Sequence, residues 1–172
     1  YENTPENARE FLRNLGQNID IVAGPFDEGA LRRWQCDALP LSCEPVRCAV
    51  SIYHPLSGKD HLTVQDLHGE NFLLIRRGWN SSIDQMRDEL MQEHPQINIV
   101  DFDFFSINVF NQCENSEDIM MTIDNWEHIH PLLKTLPVDW DYTIPFGLLH
   151  SPEPSSTVGR FLDAVKTVLD LS

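Results

Sequence analysis

Hydrophobic positions along the chain alternate between two spacings. In TPENAREFLRNLG, Phe11, Leu12 and Leu15 recur on one helical face, while Thr4 suits a cap, Pro5 the first helical position and Gly16 a left-handed stop. The apolar run IDIVAG follows and reads as a buried strand, and VRCAVSIY, from Val46 to Tyr53, reads as the next long one. HPLSGKD is rich in turn residues, TVQDL fits one helical turn, and FLLIR, INIVDFDF and DIMMTI are further strands. A helix from about Ser82 places Ile83, Met86 and Leu90 on one stripe, uses Ser82 and Gln85 as an S-x-x-Q capping box, and stops at His94-Pro95. SINVFNQCENS is a short helix. TIPFGLLH is a strand broken in the middle by Pro145 and Gly147, and Val158, Phe161, Leu162, Val165, Val168 and Leu169 set out a closing helix. This alternation predicts an α/β fold with parallel pairing and right-handed crossovers in the middle of the chain.

The length of 172 residues, 41% of them hydrophobic, allows one sizeable core or two small lobes. With 12 Lys and Arg against 27 Asp and Glu, the formal charge of -15 repels phosphate backbones and anionic membranes, so this chain alone is not expected to grip nucleic acid. No apolar run approaches the roughly 20 residues of a membrane span, and no basic-then-apolar start resembles a signal peptide. Cys36, Cys43, Cys48 and Cys113 lack C-x-x-C spacing, which argues against zinc and redox motifs. Cys48 and Cys113 read as small buried residues. Reduced thiols and a cytoplasmic address are expected, with a Cys36–Cys43 pair as the alternative.

The richest stretch chemically is LLIRRGWNSSIDQMRDEL, Leu73 to Leu90, where a strand empties into a polar segment that opens a helix. Ser81 and Ser82 are placed to cap that helix, and its first backbone N–H groups lack intrahelical partners, which suits an anion such as a carboxylate. A plain cap accounts for the same serines. Arg76 and Arg77 are consecutive, so at most one aims at the site. Trp79 is a wall for a flat ligand or an ordinary loop aromatic. Phe104, Phe105 and Ser106 sit at a second strand-to-helix junction, where ligands collect in open α/β sheets, although both Phe residues also suit a core. Gly24 and Pro25 close a strand end and are otherwise a simple turn.

Catalytic and metal constellations are absent from this pattern. His128 and His130 in EHIH lack a third ligand, Ser106 lacks His and Asp partners, and Asp101 and Asp103 share one strand face that solvation explains. No P-loop and no G-x-G-x-x-G occurs. Neither enzyme chemistry nor a cofactor or metal is expected.

The order NLGQNIDIVAG, VSIYHPLSGKDHLTVQDLHGENFLLI and VDWDYTIPFGLLHSPEPSSTVGRFLDAV resembles the effector-binding domain of LysR-type transcriptional regulators. Asp20 fits the family's apolar-Asp-apolar strand, His54, Pro55 and Leu56 its His-Pro-Leu strand end, and Leu62, Asp66 and Leu67 the Leu-x-x-x-Asp-Leu turn. The resemblance spans nearly the whole chain. CENSEDIMMTID departs from it, with Asn115 and Ser116 where the family usually turns on Gly. Such domains also begin with a β-α unit of about thirty residues before the equivalent of Tyr1.

The resemblance implies a type 2 periplasmic-binding-protein-like fold, two lobes joined by crossing strands near Val46–Tyr53 and Tyr142–His150. Lobe I then takes about residues 1–48 and 146–172, and lobe II about 52–140. It implies a small-molecule effector, a carboxylate by the helix-start argument, held by Thr4, Gly24 and Pro25 on one lobe and by Arg77, Trp79, Asn80, Ser81, Ser82, Phe105 and Ser106 on the other. It further implies homodimers or tetramers, and DNA binding through a winged helix-turn-helix module outside this chain. A transporter's solute-binding protein and a cytoplasmic α/β enzyme are the rival readings, and the HPL and Asp-Leu pattern favours the regulator.

Overall fold

A computed structural model describes residues 5–170, and Thr4 lies outside them. The elements run α1 (Pro5–Arg13), β1 (Ile21–Pro25), α2 (Glu28–Trp34), β2 (Asp37–Ser51), β3 (Asn71–Ile75) and α3 (Ser81–Glu93). They continue with β4 (Asn98–Phe102), α4 (Ile107–Glu114), β5 (Ile119–Ile123), β6 (Leu133–Leu136), β7 (Thr143–His150) and α5 (Ser156–Val168). The chain divides into two compact units: one combines the segment up to Cys43 with the segment from Pro145, and the other is Glu44–Ile144. β2 and β7 each run through a boundary between them.

In the first unit β1 lies antiparallel to β7, with Ile21 opposite His150 and Gly24 opposite Gly147. Val158 and Leu162 of α5 pack on Leu39, with Ile21, Leu148 and Val165 around them, whereas Phe161, Val168 and Leu169 of the predicted stripe are exposed. The strand β7 is continuous, where the sequence suggested a break. Pro145 has no N–H to donate, but its carbonyl accepts from Phe26 N–H at 3.0 Å. At Gly147 an added Cβ would stand 2.4 Å from the Leu39 carbonyl oxygen and 2.9 Å from Phe26 Cε1, so the glycine admits a close backbone approach. Helix α2 has no counterpart in the sequence reading. Asp27 caps it by accepting from the Ala30 N–H at 2.6 Å, and Gln35, at φ 55°, closes it in the left-handed region.

In the second unit β3 is the middle strand, parallel to β4 and to β5, with Leu73 opposite both Val100 and Met120. Both faces of β3 are covered, and Phe72, Leu73, Leu74 and Ile75 are all buried, as a continuous apolar strand in a parallel sheet requires. β2 adds antiparallel pairs with β5 and β6. Ile83, Met86 and Leu90 form the buried stripe of α3, as predicted. The chain leaves β3 toward β4 and returns across it, through α4, to β5. The strand order therefore reverses at β3, and in open α/β sheets ligands bind beyond the carboxyl ends of the strands at such a point.

The loop after β2 is tightly tied. The Leu56 N–H donates to His54 Nδ1 at 3.1 Å while His54 Nε2 lies 3.1 Å from the Glu117 carbonyl oxygen, so buried His54 bridges two segments. Lys134 Nζ donates to the carbonyls of Ser57 (2.7 Å) and Lys59 (2.9 Å). Asp66 accepts from the Thr63 N–H at 2.9 Å and pairs with Lys59 at 2.5 Å. All four cysteines are free thiols; Cys36, Cys48 and Cys113 are buried and Cys43 is exposed. Burial pushes the Cys113 thiol up to about 12 and raises that of Cys48 as well.

Candidate functional site

Three strand ends of the second unit deliver the residues of interest. The first segment, Arg76 to Asn80, leaves β3 and enters α3. Its cap is Asn80, whose Oδ1 accepts from the Ser82 N–H at 2.9 Å and the Ile83 N–H at 3.3 Å. Ser81 and Ser82 are instead the first helical residues, and Gln85 donates to Glu89 at 2.8 Å instead of closing a box with Ser82. The capping-box geometry occurs at Thr63 and Asp66. Gly78, at φ 89°, places its N–H 3.0 Å from an oxygen of Asp84, so a carboxylate of the chain itself already faces this helix start. The donors that suited an external anion are in part engaged from within.

The arginines follow the same trend. Arg76 pairs with Asp103 at 3.0 Å, and Arg77 turns onto Asp88 of α3, a hydrogen bond that raises the guanidinium pKa and lowers that of the carboxyl. Buried Arg87 reaches Asp101 at 2.7 Å and the Ile75 carbonyl at 2.8 Å. Asp101 and Asp103, read from the sequence as a solvated face, are thus anchors for two arginines.

The second segment, Asp103 to Ser106, leads from β4 into α4, with Ser106 at the N-cap position but making no side-chain cap bond. Trp79 meets Phe104 with ring centroids 5.7 Å apart and planes tilted by 42°. Phe105 meets Phe102 edge-on at 4.7 Å and Trp126 at 4.4 Å. Trp126 belongs to the third segment, the single turn after β5, and the sequence reading did not select it. Its signal was positional: an aromatic just beyond a third strand end.

Of the residues selected from sequence, Arg77, Trp79, Asn80, Ser81, Ser82, Phe105 and Ser106 gather at this carboxyl edge of one unit. Gly24 and Pro25 belong to the other unit, where they are the last residues of β1, paired with Gly147 and Phe146, and not a turn. EHIH makes no metal site: Leu132 N–H donates to His130 Nδ1 at 3.3 Å, His130 Nε2 lies 3.2 Å from Asn111 Oδ1, and no metal-binding cluster of three or more ligands exists among the described residues. No helix among them is long and apolar enough to cross a membrane.

No protein-family model and no curated protein matches the chain. Among solved structures it is similar to the effector binding domain of QuiR in complex with shikimate, with a TM-score of 0.68 and 16% identity over 94% of this chain and 78% of that one. It is similar also to the CcmR regulatory domain of Synechocystis PCC6803 in complex with 2-PG (TM-score 0.63, 18% identity, 98% of this chain and 81% of that one). CbnR, a LysR family transcriptional regulator, gives a TM-score of 0.68 at 15% identity, over 95% of this chain and 56% of that one.

The fold is that of a LysR-type effector-binding domain.

In this LysR-type fold, of the type 2 periplasmic-binding-protein class, the carboxyl edge of the second unit's sheet combines aromatic pairs, a capped helix start and arginines held by carboxylates. Such a surface can stack a flat or compact ligand and orient it through backbone and side-chain polar groups.

Proposed function

We propose that this chain is the small-molecule-sensing domain of a LysR-type transcription regulator, with no reaction of its own. The observation that carries the reading is the two ring pairs, Trp79–Phe104 and Phe105–Trp126, at the carboxyl edge of the second unit's sheet, in a fold shared with regulatory domains solved with small molecules in place. The effector occupies that edge together with Asn80, Ser81, Ser82 and Ser106. Its occupancy is relayed through self-association, as a homodimer or tetramer, to a helix-turn-helix module that makes the DNA contacts in the cytoplasm. The formal charge of -15 supports assigning DNA contact to that module.

The test is a screen of small metabolites for saturable rises in melting temperature, followed by DNA binding of the full-length regulator with and without the hit. A ligand that stabilises this domain and alters DNA binding by the full-length protein is the expected result. Turnover of the ligand, or stabilisation without any effect on DNA binding, would overturn the reading in favour of an enzyme or a solute carrier.

A further inference from the structure

Charge and ring placement at this edge define what the ligand is. Seventeen Asp and Glu between Glu44 and Ile144 face six Lys and Arg. All six cations are committed: Arg76, Arg77 and Arg87 as described, Arg47 to Asp124 at 2.8 Å, Lys59 to Asp66, and Lys134 to two carbonyls. An anion arriving on this unit therefore finds each Lys and Arg already partnered, amid a large excess of carboxylates.

A cation meets the opposite situation. The rings of Trp79, Phe104, Phe105 and Trp126 are only half-buried, and aromatic faces attract ammonium groups, Trp most strongly. Two of the three segments also bring a carboxylate within two residues of a ring: Asp103 precedes Phe104, and Asp124 stands two residues before Trp126. These carboxylates stay 68% and 47% exposed while paired with Arg76 and Arg47. The Arg76–Asp103 pair is exposed and of the weak kind, so Asp103 remains open to a second positive group, whereas Asp124 holds Arg47 through both oxygens, at 2.8 and 3.1 Å.

We propose that the effector is a small organic cation, a protonated or quaternary amine, seated against the Trp79–Phe104 and Phe105–Trp126 pairs with Asp103 at its rim. The proposal rests on the effector-sensing reading above and names the ligand class for the same site. It displaces the carboxylate suggested by the helix start, where Asn80 already engages the Ser82 and Ile83 N–H groups.

The experiment is calorimetry on the whole chain with three probes of similar size: phenyltrimethylammonium, neutral benzyl alcohol and benzoate. Phenyltrimethylammonium is expected to bind at least about tenfold more tightly than benzoate. Trp126→Leu, which keeps apolar bulk, should weaken it about tenfold. Asp103→Asn, an exposed and shape-conserving change, should weaken it severalfold while leaving the melting temperature close to wild type and benzyl alcohol binding unchanged. Benzoate binding as tightly as the cation, cation affinity indifferent to both substitutions, or no binding of the cation would each overturn the proposal. Benzoate winning at this site would leave the effector-sensing reading intact, because that reading stands or falls on the metabolite screen and the DNA response.

Discussion

Asn80 Oδ1 lies 2.9 Å from the amide nitrogen of Ser82, which makes the asparagine, and not either serine, the cap of α3. Asn80→Ala should therefore cost about 0.5–2 kcal/mol of stability in urea unfolding, with the m-value unchanged, whereas Ser82→Ala should cost less than about 0.5 kcal/mol. The reverse ranking would move the cap back to the serine.

Asp66 supplies a pH dependence whose sign is determined by its partners. Its hydrogen bond from Lys59, and then that from the Thr63 N–H, hold its carboxyl below the ordinary carboxylate range. The ionised form is thus favoured in the folded state, and the stability it contributes is full above the unfolded value of about 3.9 and is lost as pH falls through the lower folded value. Asp66→Asn should lower the melting temperature at pH 7, and the gap to wild type should close as the pH drops below about 4. A gap that stays constant with pH would contradict this.

Thiol reactivity should sort by burial. Cys43 is exposed and should react rapidly with a disulfide reagent in the native protein, while Cys48 and Cys113, buried and with raised thiol pKa values, should react only on unfolding. Burial raises the Cys36 thiol too, so it belongs with the slow group. Counting fast and slow thiols at pH 8 checks the assignment; prompt labelling of Cys113 would refute it.

Gly147→Ala places a methyl group 2.4 Å from the Leu39 carbonyl oxygen, on rigid backbone that cannot move aside cheaply. The expected loss is on the order of 1–3 kcal/mol, from overpacking. Gly24→Ala, at the partner position on β1 and with open space around the new methyl, is the control and should cost far less.

Much of this architecture was legible because burial writes a period into the sequence. Ile83, Met86 and Leu90 betrayed α3, Val158 and Leu162 betrayed α5, and the unbroken apolar run at Phe72–Ile75 betrayed a strand covered on both faces. The misses came from features with no such period. Helix α2 buries only Ala30 and Trp34, and its cap Asp27 follows a strand with little intervening turn signal. The continuity of β7 depends on Leu39 and Phe26, distant in sequence from Gly147. At the site, Ser-Ser drew attention from the asparagine beside it, since serine and asparagine both cap well. Trp126 emerged only when β5 was seen to lie beside β3, because no local pattern ties it to Phe105.

The antiparallel pair of β1 with β7 has a consequence during synthesis. Ile21 emerges from the ribosome long before His150, its partner across the ladder, whereas every strand pair of the Glu44–Ile144 unit closes within that single stretch. A nascent chain that has just exposed Ile144 can complete its second unit while β1 still shows an unpaired edge. A strand made before that unit is then satisfied only after it, and in the interval its open edge is a place for a chaperone to bind.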